Sequence, residues 1–450
     1  MLLRLTVDNY LSFNKETELI MIPSNKIRKK SDHKVKLANV SVLKYAAIYG
    51  ANAAGKSNLI KAIAFMKLCV SKSLSPLSAN DYCRNCEGNI KRPSLFEIQF
   101  SLDGNYYAYG FSAILNTTQI ASEWLYKINK LNDPEKIFEW DKSKNPTYGE
   151  GLELNNSDIV RLQTYFEDFD ENGNMLFLKF MNSNKKYSDD SSLYVFKKIY
   201  DFIANDIVIV TPNTTVTDIS HYYNNTSIAS ISNLLQLFDT GISDIFIEEI
   251  SMAELEKEIP EPIITDIIKT VKEKLETDNN SDPMLSIRSD YSFYNIEFKA
   301  DGELKITTMK FRHRNSFYDF KFADESDGTR RLIDLVDMLL ETSDERIYVA
   351  DEIERSLHPK LMQKFIEIFN ERHSTDRVQL IFTTHESTIM DQELFRRDEI
   401  WFVERDSNSC SYIYPLDKFK ERYDKKLSKA YLDGRYGAIP VFKQFKFKEK

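Results

Sequence analysis

The sequence predicts an α/β fold in which an antiparallel β subdomain and an inserted helical arm are attached to a core of alternating strands and helices. Three observations predict it. The apolar run "VLKYAAIYG" feeds "GANAAGKS", and "NLIKAIAFMKLCV" continues from it with helical periodicity. Residues 95–130 alternate with a period of two, and Asp103-Gly104 separates two aromatic-rich runs, a hairpin signal. Strands return after about residue 284, and helix then alternates with strand to about residue 405.

Taken in order, "MLLRLTVDNYLSF" reads as a strand and turn without a basic leader or cleavage site. Residues 1–154 form the first part of the core, with the glycine loop and the β subdomain. Residues 155–283 are acidic and Asn-rich, with "SLYVFKKIYDFI" and "IITDIIKTVKEKLE" as amphipathic helices. Residues 284–450 complete the core, beginning with strands in "YNIEFKADGELKITTMKF" and "FYDFKF". The apolar runs fall short of the roughly 18 residues that cross a bilayer, and four cysteines do not make a disulfide framework. A cytoplasmic protein with no membrane partner is expected.

The net charge of −9 argues against indiscriminate coating of nucleic acid. Residues 418–450 nevertheless carry eleven Lys/Arg against four Asp/Glu, so a solvated tail and a docking surface both stay open.

Two motifs carry chemistry. "GANAAGKS" fits G-x-x-x-x-G-K-[ST], and its position between an apolar run and a helix makes it a phosphate loop. Gly50, Ala51, Asn52, Ala53, Ala54 and Gly55 would wrap phosphate oxygens with backbone N–H groups, and Asn58 follows on the helix. Lys56 would reach the β and γ phosphates of ATP, and Ser57 would give a hydroxyl to Mg²⁺. The helix start adds its positive dipole end. In "RIYVADEIERSLHPKL", a short buried-type strand ends in Asp351 and Glu352. Asp351 would help hold Mg²⁺, while Glu352 would polarise the attacking water. A further strand, "VQLIFTTHES", delivers His385 at its end, where open α/β sheets keep their ligand crevice, and His385 would sense the γ-phosphate.

A third stretch, "KFADESDGTRRLIDL", sets Ser326, Asp327 and Gly328 just ahead of a helix. Ser326 could simply cap that helix. With "GANAAGKS", "IYVADEIERSLHP" and "TTH" in the same order, however, the sequence resembles the ABC-type ATPases, in the branch of the SMC, RecF and OLD proteins. The resemblance implies a P-loop ABC-type head, ATP hydrolysis at sites shared between subunits, and ATP and Mg²⁺ as cofactors. In it, Ser326–Gly328 correspond to the signature that grips a neighbour's γ-phosphate, and Ser356–His358 to the loop that crosses between subunits. The signature departs from the transporter form, with one glycine and Asp327 beside it. The sequence also departs from the family in having no unambiguous glutamine loop; Gln99, in "FEIQF", is a candidate without the family's context.

"GANAAGKSNLIKAI", "YAYGF" and the closing "YLDGRYGAIP" resemble the stand-alone bacterial ATPases of phage-defence and abortive-infection loci, such as the RloA, AbiL, PARIS AriA and Septu PtuA types. That resemblance implies a homo-oligomeric, nucleotide-dependent switch controlling a separately encoded effector, a nuclease. The alternative is a RecF- or SMC-like DNA-maintenance ATPase, which leaves nucleic acid open as a partner. Residues after His385 lack the spaced acids of a TOPRIM nuclease, and Cys83-x-x-Cys86 has no second pair in sequence. In the tail, Arg435 and Tyr436 could touch a partner or nucleotide, or form a structural clasp.

Overall fold

The computed structural model describes residues 1–130, 133–142, 144–170, 173–212, 225–266, 268–269, 284–288, 293–298, 304–343, 345–420 and 426–440. Its packing divides into two compact units. One holds Met1–Thr211, Ser343–Ile353 and Asn370–Lys450; the other holds Pro212–Thr342 and Glu354–Phe369. Residues 155–211 pack with the first unit, and residues 284–342 and 354–369 with the second.

The first unit is an α/β P-loop fold with an antiparallel sheet. Its six-stranded sheet runs in the order Ile207–Val210, Glu345–Ala350, Arg377–Thr383, Tyr45–Gly50, Ile400–Arg405, Ser411–Pro415. The first five strands pair in parallel and the last is antiparallel. Tyr45–Gly50 is buried at every residue, which explains its unbroken apolar run. The strand Ile207–Val210 departs from the helical reading of 155–283, because four apolar residues carry too little periodicity to separate strand from helix.

The seven-stranded sheet contains Lys144–Tyr148, Asp133–Asp141, Gln119–Lys130, Asn105–Ile114, Ser94–Leu102, Leu2–Asp8 and Thr17–Ile20 in that order. All its pairs are antiparallel. The turn at Asp103-Gly104 stands as expected, with φ values of 49° and 77°. Helix Lys56–Lys72 buries Leu59, Ile63, Phe65, Met66 and Val70 in the core shared with these strands.

Glu123 pins the helical segment to this sheet. It is fully buried and accepts hydrogen bonds from Tyr109 Oη (2.9 Å), Trp140 Nε1 (3.2 Å), Phe177 N (2.5 Å) and Leu178 N (3.0 Å). The two backbone donors belong to the first turn of helix Phe177–Met181, where N–H groups lack helical partners. Burial outweighs these four bonds and pushes the carboxyl up to about 7.

The second unit holds a sheet ordered Ile242–Ile250, Leu304–His313, Phe293–Phe298, Met284–Arg288, with Phe320–Lys321 paired to Leu304–His313. Thus the 155–283 segment carries strands besides its helices. Helices Asn225–Leu237 and Asp327–Leu340 belong to this unit, as does most of Pro359–Arg372. Most of "IITDIIKTVKEKLE" and much of the basic 418–450 stretch lie outside the described residues. Among the described residues no helix is long and apolar enough to cross a membrane.

Candidate functional site

The C-terminal ends of the parallel strands bring the first group of predicted residues together. Strand Tyr45–Gly50 leads into the loop, and helix Lys56–Lys72 starts directly after Gly55. Gly55 has φ 114°, and a Cβ there would lie 2.3 Å from Ser411 Oγ and 2.8 Å from Ser12 Oγ. Only glycine fits. Ala53 also takes a left-handed conformation, φ 62°, while Asn52 and Ala53 are exposed. Lys56 is buried, and its Nζ donates to Gly50 O (2.8 Å) and Ala51 O (3.2 Å) and lies 3.5 Å from His385 Nδ1.

Two serines outside the motifs, Ser12 and Ser411, brace this loop. Ser411 Oγ donates to Ala54 O (2.5 Å), and Ser411 N donates to Ser12 O (2.7 Å). Asn58 Nδ2 donates to Ser12 Oγ (2.7 Å). Ser12 sits in the turn after the first strand and Ser411 opens the last, so no local pattern joins them.

The acidic strand supplies the other side. Ser57 Oγ donates to Asp351 Oδ1 at 3.0 Å, and Thr383 Oγ1 donates to the same oxygen at 2.5 Å. Thr383 Oγ1 also accepts from Glu352 N at 2.8 Å. Thr383, another unpredicted member, therefore fixes both acids; its signal was its place in "TTH". Glu352 adopts φ 44°, a conformation costly for a non-glycine residue. Its Oε1 lies 3.8 Å from His385 Nε2, and both side chains are about 40% exposed. Ser57 and Asp351 offer a hydroxyl and a carboxylate oxygen to one point, a donor set suited to a hard cation such as Mg²⁺.

The second group assembles in the other unit. Ser326 is the N-cap of helix Asp327–Leu340, with its Oγ accepting from Thr329 N at 3.1 Å. Ser326 and Asp327 are exposed, and both line a cavity of about 650 Å³ with Gly328, Ser356, His358 and the Phe238–Thr240 turn. A Cβ on Gly328 would stand 2.8 Å from Ser356 O, so this glycine permits close approach of the Ser356–His358 turn. Arg331, buried one turn along, faces Asp334, Arg355 and Glu354, and burial holds its pKa below the usual guanidinium value.

Gln99 stands apart from these groups in its bonding, donating to Glu97 Oε1 at 3.2 Å. Tyr436 is buried, and its ring stacks on Phe402 with centroids 5.7 Å apart. Ala438 N donates to Glu404 Oε1 (2.7 Å) and Tyr414 Oη donates to Tyr436 O (2.7 Å), so the tail motif is a structural clasp at Tyr436. Arg435 remains exposed. Cys83 and Cys86 lie near a third thiol, Cys410, whose Sγ donates to Asn408 O at 3.8 Å. Burial pushes Cys410 up to about 12. Among the described residues no group of three or more His, Cys, Asp or Glu is arranged to hold a metal ion.

A family profile described as "AAA domain, putative AbiEii toxin, Type IV TA system" matches residues 46–166 and 141–391, more than half the chain. The chain belongs to this AAA family. The match begins inside the phosphate-loop strand and runs past His385, so the AAA-family region contains every predicted site residue. No curated protein matches the chain.

Among solved structures, the SMC head domain from Thermotoga maritima is similar at 16% identity and TM-score 0.39, covering 92% of this chain and 98% of that one. An SMC head bound to the C-winged helix domain of ScpA is similar at 14% identity and TM-score 0.43, covering 93% and 99%. An SMC head with an extended coiled coil, bound to the C-terminal domain of ScpA derived from Pyrococcus furiosus, is similar at 14% identity and TM-score 0.38, covering 93% and 97%.

Proposed function

We propose that the protein is an ABC-type ATPase that binds and hydrolyses ATP at sites completed by a second copy of itself. Its nucleotide state would act as a switch in bacterial anti-phage defence, controlling a separately encoded effector, a nuclease. The observation that carries the catalytic reading is the convergence of Ser57, Asp351, Thr383, Glu352 and His385 at one end of one sheet. The family description, which names a toxin and a TA system, favours the defence reading.

The residues divide the work. The loop from Gly50 to Gly55 offers N–H groups to the phosphates, with Asn58 bracing it from the helix. Lys56 exchanges its bonds to Gly50 O and Ala51 O for the β and γ phosphates, so the ammonium is positioned before ATP arrives. Ser57 and Asp351 would hold Mg²⁺, which supplies charge neutralisation at the β and γ phosphates. Glu352 accepts a proton from, and orients, the attacking water; His385 donates to the γ-phosphate. Ser326, Asp327 and Gly328 present a hydroxyl and helix-start N–H groups to the neighbour's γ-phosphate.

The test compares two variants. Lys56→Ala should lose ATP affinity and turnover together. Glu352→Gln should keep ATP binding while turnover falls about 10²-fold or more. Equal loss of binding and turnover in Glu352→Gln, or near-normal hydrolysis by folded Lys56→Ala, would overturn these roles.

A further inference from the structure

The turn between strands Leu304–His313 and Phe320–Lys321 carries two adjacent aromatic side chains in the open: Phe317 is 97% and Tyr318 84% exposed. Aromatic side chains of this size carry about 150–250 Å² each and dominate protein interfaces. The base of the turn is fastened to the rim of the signature cavity. Arg314 N donates to Gly241 O at 3.1 Å, and Gly241 ends the Phe238–Thr240 turn that lines the cavity. His313 Nε2 shares a 2.7 Å hydrogen bond with Glu325 Oε1, the residue before Ser326. Leu237, just ahead of that turn, is 60% exposed. Exposed apolar side chains therefore flank both segments that frame the cavity.

We infer that Phe317 and Tyr318 are anchor residues for a second copy of this chain, which covers them when it closes over the cavity with its bound ATP. This inference rests on the composite-site reading. A stable dimer covers about 800 Å² on each partner, far more than the mouth of one cavity. A second copy reaching Ser326 must therefore also cover segments tied to the rim. Nucleic acid is the poorer occupant: Lys310, Arg312 and Lys321 around the turn are ion-paired with Glu248, Asp319 and Glu258. Tight phosphate-backbone binding draws on several cations.

The experiment uses full-length Glu352→Gln protein with ATP and Mg²⁺, with self-association measured by sedimentation. Adding Phe317→Ser and Tyr318→Ser should weaken the dimer about thirty-fold or more, as removal of interface anchors does. Monomer affinity for ATP should stay unchanged, and the conservative pair Phe317→Tyr with Tyr318→Phe should restore the dimer. A dimer of undiminished strength in the double-serine protein overturns the inference and leaves the composite site standing. If Glu352→Gln alone stays monomeric with ATP, the composite-site reading itself fails and takes the inference with it. Loss of binding to a fluorescent single-stranded oligonucleotide, with the dimer intact, would overturn it in favour of nucleic acid.

Discussion

Replacing Glu123 with Gln tests how the helical segment is held on the antiparallel sheet. All four partners of this carboxylate are donors: Tyr109 Oη, Trp140 Nε1, Phe177 N and Leu178 N. An amide keeps one acceptor oxygen and turns an NH₂ toward the others, leaving at least one buried donor unsatisfied at a cost of about 1–3 kcal/mol. The wild-type carboxyl has a folded pKa raised from 4.5 to about 7. The folded state thus holds the proton more tightly, so stability is fullest below about pH 4.5 and is lost as pH rises through about 7. A shift of that size corresponds to about 3 kcal/mol. Glutamine has no such titration. At pH 5 the wild-type carboxyl is itself mostly protonated and already sets an O–H among these donors, so Glu123→Gln should be only slightly less stable there, and the difference should move in its favour by about 2.5 kcal/mol between pH 5 and pH 8. Urea denaturation of both proteins at pH 5, 6, 7 and 8 measures this, and the difference cancels other titrating groups. A gap independent of pH would refute the argument.

Two backbone predictions follow from close approaches. Gly55→Ala forces a left-handed residue with its Cβ 2.3 Å from Ser411 Oγ; ATP binding should be lost and the melting temperature should fall, as calorimetry would show. Gly437→Ala, at φ 69°, would put a Cβ 2.5 Å from Glu404 Oε1 and disturb the Ala438 N bond. The cost should be about 2–4 kcal/mol, and limited proteolysis should cut the tail faster while ATP affinity is unchanged.

The site was legible where chemistry follows a local pattern. Lys56 and Ser57 are spaced by the glycine loop itself, and Asp351, Glu352 and His385 each follow an apolar run that ends at the same edge of the sheet. The bracing residues were not. Ser12 and Ser411 meet across 399 positions, and Cys410 reaches Cys83 from the far end of the chain. Nothing local to Glu123 marks it as buried: its partners Tyr109, Trp140, Phe177 and Leu178 lie 14 to 55 positions away. The glycines around Tyr436 mark a turn but do not say what it packs on; the stacking of its ring on Phe402 makes it a clasp. Short spacing encodes a motif; it carries no information about which distant segment will lie against it.

The central claim is that Ser326 and Gly328 serve the neighbour's ATP. In a dimer joining one Ser326→Arg subunit to one Lys56→Ala subunit, one site combines both lesions and the other combines an intact loop with an intact signature. Each homodimer has two broken sites. ATPase activity measured on a mixture of the two inactive proteins, after subunit exchange is verified, should therefore reappear at about half the wild-type rate per mixed dimer. No recovery despite exchange, or full activity of Ser326→Arg alone, would contradict the account and leave Ser326 as a helix cap.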